Sequence, residues 1–378
     1  VRLSSRTVTP QVKFLLLLAL LVGMTTLGAG CVSFSKNDAS NNGPAGIFAS
    51  TDRGESWQQI TNWPTLEGVK SIGGISIYRM IEDPQDPSAL YLATRQDGLF
   101  YTFDEGNSWQ QAKSPLNKGF VYSVAVHPKN KCLIYVSTGQ QVFKTDDCMR
   151  SWQEIYRESR SNIIMTTLAF NQFSPYEFYI GESNGDLLRS NDSGVSWKIV
   201  KRFGDRLYHV ESSPLQSGLF YVITKSNGLY RSDDGGNSWV GLKDSLAKFS
   251  KGLEYRRHLL HPTKPDSIYW ISTYGILRSD DRGESWYAYD LIHPPGSASI
   301  YAFAVNPKND NEMYYTATIN SRSTFYKTLN GGKEWITRKL PTGQLPISLR
   351  VHPEKTNILY MAFTIPPEVK EQPKLYIE

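Results

Sequence analysis

The chain is poor in the residues and patterns that announce many enzyme classes. There are three cysteines and six histidines in 378 residues. No histidine pair has ligand spacing: His127, His261 and His352 each precede a proline, His293 stands before a Pro-Pro pair, and His209 and His258 stand apart. Zinc sites need three or four such donors in set patterns, so no metal or other cofactor is expected. A nucleophile elbow, a Walker loop and a dinucleotide fingerprint are all missing. Charge of one sign is scarce as well. The net charge is +5, and removing residues 1–30, which hold Arg2, Arg6 and Lys13 and no acid, would leave +2. Without a lysine or arginine run, that balance gives no footprint for nucleic acid.

What is present begins with an apolar run, FLLLLALLVG, behind three basic residues. This is the plan of a secretory signal, and ten apolar residues are too few for a confident membrane span. Gly28, Ala29 and Gly30 before Cys31 resemble a bacterial lipoprotein signal, which implies acylation of Cys31 and an extracytoplasmic, membrane-anchored protein. An ordinary signal peptide or an uncleaved anchor is the alternative. Residues 1–30 are thus read as a signal segment, 31–45 as a polar tether and 46–378 as the folded domain. Secretion permits a disulfide between Cys132 and Cys148, which lie symmetrically about TGQQ (138–141). The alternative is two free buried thiols.

Glycine and proline number 29 and 20, and aromatic residues make up 12% of the chain, as in a turn-rich β protein. One motif recurs seven times: STDRGESW (50–57), TFDEGNSW (102–109), TDDCMRSW (145–152), SNDSGVSW (190–197), SDDGGNSW (232–239), SDDRGESW (279–286) and TLNGGKEW (328–335). Seven of the nine tryptophans are used this way, at spacings of 42 to 52 residues. Each unit adds an apolar run ending near a proline (VAVHP, HLLHP, FAVNP, LRVHP). A second run follows (LYLAT, IYVST, FYIGE, FYVIT), then a third leading into the motif and a fourth at its tryptophan. Four short strands per period of this length predict an all-β, seven-bladed propeller. The chain from residue 46 starts with third and fourth strands, and residues 347–363 supply first and second ones. The two ends are therefore expected to share a blade, with residues 46–50 or 374–378 filling its third place.

The repeated S-x-D-x-G-x-x-W is identified as the Asp-box. The repeat region resembles the Asp-box propellers: bacterial sialidases, sortilin-type receptors, xyloglucanase-type glycosidases and the photosystem II stability/assembly factor family. The box itself reads as a turn staple. Its acids (Asp52, Asp104, Asp147, Asp192, Asp234 and Asp281, with Asn330 in the last copy) can accept backbone N–H bonds. Its tryptophans (Trp57, Trp109, Trp152, Trp197, Trp239, Trp286 and Trp335) can pack between strands. Seven equivalent catalytic sites are implausible, and Asn330 keeps an acceptor without a charge. Met149 replaces the glycine in the unit that carries both cysteines, so a disulfide there would compensate for a weakened turn.

In a propeller the boxes and proline turns share one face, and binding sits at the channel mouth on the other. Six residues before each proline stand Tyr78, Tyr122, Tyr208, Arg256 and Tyr301, with Thr166 and Ile347. The next positions include Arg79, His209 and Arg257. These eight aromatic, cationic and imidazole groups are expected to ring the rim as ligand-binding residues. Ordinary strand propensity is the other explanation of the tyrosines. The long segment 242–257 on that face, with Phe249 and Tyr255, is a candidate contact loop. Glu182 and Asp186 share one inter-strand loop and carry no further mark.

The resemblance implies a monomeric, lipid-anchored, non-enzymatic propeller that binds a protein segment, as an assembly factor or receptor does. The second-strand pattern LYxAT is closer to sortilin-like and glycosidase-like repeats than to the photosystem factor. The alternative is a glycan-binding module or a glycosidase acting on surface polysaccharide. No arginine-isoleucine-proline segment of the sialidase kind is present, and adjacent Arg256 and Arg257 would point to opposite sides of a strand, which breaks an arginine triad.

Overall fold

The computed structural model describes residues 43–366. The signal segment, Cys31, most of the tether and the strand-like KLYIE lie outside the described residues.

Seven four-stranded antiparallel sheets form the fold. Their innermost strands are Ile77–Glu82, Ser123–His127, Met165–Phe170, Leu207–Ser212, Tyr255–Leu260, Ser299–Asn306 and Leu345–Val351, taken below as blades one to seven. The second strands carry mostly apolar runs because both of their faces are covered. Leu90–Thr94, Phe178–Glu182, Phe220–Thr224 and Ile268–Ser272 are buried at every position. Each Val, Leu or Ile side chain so enclosed is worth about 1.5–3 kcal/mol, and these strands are the main source of cohesion. The fourth strands are short and largely exposed, and they form the outer edge.

The seventh blade is assembled from both ends of the described chain. Gly46–Ser50 pairs antiparallel with Leu359–Thr364, and its outer neighbour is Gln58–Gln59. Residues 46–50 therefore take the third place. An extra two-stranded hairpin, Asn62–Thr65 with Gly68–Ser71, leads to blade one. Trp63 in it packs edge-on to Phe100 at 5.2 Å.

The boxes are turns. In the fourth copy the Ser190 hydroxyl donates to Asp192 Oδ1 at 2.7 Å and accepts the Gly194 N–H at 2.7 Å. Asp192 also accepts the Ser196 N–H at 2.8 Å and the Ser196 hydroxyl at 2.6 Å. Asn330 keeps the same backbone bond, from Glu334 N at 3.0 Å. The glycine has two reasons to be there. Gly194 has φ +93°, and a Cβ on it would stand 2.9 Å from Ile155 of the preceding blade. The residue before it is also left-handed, as in Arg53, Glu105, Ser193 and Arg282. The box is thus a two-residue left-handed turn clamped by its own aspartate. Its tryptophan reaches to the preceding blade: Trp109 Nε1 donates to Ile60 O at 2.8 Å, and Trp335 Nε1 to Asp290 O at 2.8 Å.

Cys132 and Cys148 are bonded. Cys148 and Met149 both have positive φ, 57° and 69°. The bond therefore holds the one box that must bend without glycine.

The residue before each turn proline has a matching role. Asp83, His127, His261 and His352 accept N–H groups two or three residues on, such as His352 Nδ1 from Lys355 N at 3.0 Å. These histidines are turn caps.

Candidate functional site

The inner strands tilt their side chains alternately into the central channel and between blades. A cavity of about 550 Å³ opens where the entrances of these strands meet. Of the eight rim residues expected from sequence, Tyr78, Arg79, Tyr208, His209, Arg256 and Arg257 line it. Tyr122 and Tyr301 stand beside it. Tyr122 stacks on Phe120 at 4.2 Å and meets Tyr78 edge-on at 6.4 Å. Tyr301 lies under the Arg256 guanidinium at 5.9 Å, and its carbonyl accepts a bond from Arg257.

The wall is aromatic on two sides. Tyr208 and Tyr255 are near-parallel with centroids 5.8 Å apart. Opposite, Tyr78 meets Phe120 at 4.8 Å, with the Arg95 guanidinium 5.3 Å from the Tyr78 ring. Tyr255 comes from the candidate contact loop. The rest of that loop is partly structural: its helix Lys243–Ala247 buries Leu246, and Ser245 accepts the Trp286 N–H at 3.0 Å.

Below this rim the channel floor is charged. Arg79 of blade one reaches across the axis to the Tyr208 carbonyl of blade four at 3.2 Å. Arg257 donates to the carbonyls of Tyr301 and Ile347, bridging blades six and seven. Arg256, its neighbour in sequence, is exposed and turned to the rim, as strand alternation requires. Arg350 faces Glu82 at 3.4 Å. His258 Nε2 lies 2.7 Å from Glu211 Oε2, and its Nδ1 lies 2.8 Å from the Tyr255 hydroxyl. Small residues at the equivalent positions in other blades, Ser123, Thr167, Ala302 and Ser348, leave the space these long side chains fill.

Burial shapes the protonation of this floor. It drives His209 well below the ordinary imidazole value, and His258, Arg79, Arg257 and Arg350 push the same way. Burial also brings Arg257 down to about 10, helped by Arg350 and then Arg79. The Glu82 carboxyl is raised by burial, with Arg350 offsetting part of the effect.

Sequence spacing did not connect His209 and His258. The fold brings them to adjacent strands, with ring centroids 4.7 Å apart. Their donor atoms and those of Glu211 lie within 4.8 Å of one another. The arginines around His209 act against a dication there and in favour of an anion. Glu82, Glu211, His258 and Arg350 lie in the cavity and were not foreseen. Their only signal is a polar residue two to four places before a turn proline, where most blades carry an aliphatic one.

A second polar cluster, outside this cavity, joins Glu158, Arg160, Glu182 and Asp186. Arg160 Nη2 lies 2.8 Å from Glu158 and 2.9 Å from Glu182. Glu182 is fully enclosed, and burial together with its hydrogen bond to Glu158 lifts it to about 8. Its enclosure makes it a tie between blades two and three.

Seven blades and their boxes define an Asp-box propeller with a cavity at the mouth of its channel. The chain belongs to the Sortilin-Vps10 family: the model described as sortilin, neurotensin receptor 3, matches residues 45–172 and 185–290. It is 23% identical over 302 residues to a probable oligoxyloglucan-reducing end-specific xyloglucanase of Neosartorya fischeri, covering 71% of this chain and 32% of that protein. It is 27% identical over 267 residues to a xyloglucanase of Acetivibrio thermocellus, covering 64% and 28%. The chain thus spans about a third of the length of these curated relatives. Among solved structures it resembles a GH74 enzyme of Niastella koreensis (TM-score 0.60, 14% identity, 77% of this chain and 51% of that one). It also resembles YCF48 bound to D1 peptide (TM-score 0.56, 17% identity, 79% and 94%). At such identities the structural likenesses establish the fold. The relatives correct the sequence-based expectation of a non-enzymatic binder of a protein segment: the sequence matches are xyloglucanases, and they favour the carbohydrate-directed alternative.

Proposed function

We propose that this propeller recognises a polysaccharide at its channel mouth. The observation that carries the reading is the aromatic-walled, polar-floored cavity of about 550 Å³. Sugar rings present C–H faces that pack on tyrosine and hydroxyl edges that need hydrogen bonds. Tyr78, Tyr208 and Tyr255 offer the first, and the charged floor offers the second. The xyloglucanase relatives supply the class of ligand. An extracytoplasmic position, with Cys31 acylated, suits a protein that meets such polymers, and that placement is part of the proposal.

Hydrolysis is a second reading, and one observation favours it. The cavity holds two carboxyls with different surroundings: Glu82 is raised by burial, and Glu211 is held by His258. A raised carboxyl can give a proton to a leaving oxygen, one half of the division of labour in glycoside hydrolysis.

Affinity electrophoresis through gels containing neutral and acidic plant and bacterial polysaccharides tests the first reading. Retardation by at least one polymer, reduced in Tyr208→Ala, is expected. Migration unaffected by every polymer would overturn it. Release of reducing ends, abolished in Glu82→Gln, would establish the second reading, and binding without release would reject it.

A further inference from the structure

Resting on the glycan reading, and going beyond it to the kind of sugar, we propose that the ligand carries a carboxylate: an acidic, uronate-bearing polysaccharide whose carboxylate docks between Arg79 and Arg257. Arg350 has Glu82, and the His258 imidazole has Glu211. No carboxylate pairs with Arg79 or Arg257 among the described residues: Arg79 bonds the Tyr208 carbonyl and lies 5.4 Å from the Tyr78 ring, and Arg257 bonds two carbonyls. A half-buried guanidinium normally meets a carboxylate or phosphate, because a carbonyl offsets desolvation only in part. Here both line the cavity, Arg79 tied to blade four and Arg257 to blades six and seven, and these main-chain bonds use only some of the five N–H groups of each guanidinium. The half-buried imidazole beside them, His209, has an enclosed Nδ1 without a hydrogen-bond partner.

The same field sets the sign of the ligand. Burial first, then His258, and then Arg79, Arg257 and Arg350 hold His209 well below the ordinary imidazole value. Arg206 and Arg256 also line the cavity, so arginines outnumber the two carboxyl groups there, Glu82 and Glu211. The tyrosines set the spacing: a sugar ring resting on Tyr208 and Tyr255 places a substituent toward the arginines below. Planar two-point binding of a carboxylate is what a guanidinium fork does best. A neutral glucan would leave both forks unanswered.

Titration calorimetry with polygalacturonate, the same polymer highly methyl-esterified, neutral xyloglucan and dextran sulfate, at about 0.15 M ionic strength, tests this. Polygalacturonate is expected to bind about tenfold or more tighter than its methyl ester, the loss of one charge-assisted contact. Arg79→Gln should erase that preference while leaving the melting temperature unchanged. Because the ester comparison uses the unaltered protein, a variant that fails to fold does not obstruct the test. Equal affinity for acid and ester would overturn the carboxylate site and leave glycan recognition standing. Dextran sulfate matching polygalacturonate would overturn it as unselective polyanion binding. No binding to any of the four would remove the glycan reading itself.

Discussion

Each box aspartate is a clamp, and its protonation state reports on the clamp. Asp192 and Asp234 are held down to about 2, first by the Ser196 and Ser238 hydroxyls and then by the backbone N–H of the same serines. Their unfolded value is near 3.8. The unfolded chain therefore takes up protons first as pH falls. The contribution of these groups is complete above 3.8 and is lost on passing down to about 2. Melting temperature followed by circular dichroism should fall steeply between pH 4 and pH 2. A flat profile there would deny the clamp. Glu182 behaves oppositely. Raised to about 8 from 4.5, it keeps a proton that the unfolded chain releases, so its contribution is full below 4.5 and disappears as pH rises through 8. Glu182→Gln should flatten the decline of melting temperature over that interval, and an unchanged slope would contradict the assignment. The box roles were legible in the sequence because a turn is local: serine, aspartate and glycine at fixed offsets determine one another. Glu182 was not, because its neighbours Glu158 and Arg160 lie more than twenty residues away.

At the scale of the element, the third box sets two effects against each other. Met149 has φ +69°, which costs a non-glycine residue about 1–2 kcal/mol. It is also buried in the core of blades one and two, where losing its side chain costs about 2–5 kcal/mol. Met149→Gly should therefore destabilise by about 1–3 kcal/mol on balance, even though it restores the motif. The disulfide supports the same turn. Cys148→Ser opens a loop of sequence separation 16, and about 3 kcal/mol should be lost in chemical denaturation. Unchanged stability would show that the bond does not hold this turn. The strand order within blades was readable from runs such as LYLAT, because burial on both faces imprints a continuous apolar pattern. The channel-facing positions were read less completely. Tyr78, Arg79, Tyr208, His209, Arg256 and Arg257 were found by counting from the prolines. Glu211 and His258 were not, because their meeting depends on which strands the ring makes adjacent.

At the scale of the whole molecule, closure depends on the two ends of the described chain sharing blade seven. Deleting residues 43–60 would leave Leu345–Val351 and Leu359–Thr364 as a two-stranded remnant with an open edge. Loss of the cooperative transition and aggregation on gel filtration are expected, and a monomer with an intact melting curve would contradict ring closure as the source of stability. The fold was legible from seven copies of one motif, whereas function was not. The repeats describe the scaffold, and the residues that break repeat symmetry, the arginines, histidines and glutamates of the channel, line the cavity. Resemblance to several Asp-box families pointed first toward protein binding, and the carbohydrate-active relatives moved the reading.

The most direct test of the central claim is retention of the purified propeller on immobilised polysaccharide, with the unaltered protein beside a Tyr78→Ala/Tyr208→Ala variant. Retention that soluble polymer competes away is expected, with loss of retention in the variant and its melting temperature preserved. Equal retention of both proteins would place binding elsewhere and contradict the assignment of the channel mouth.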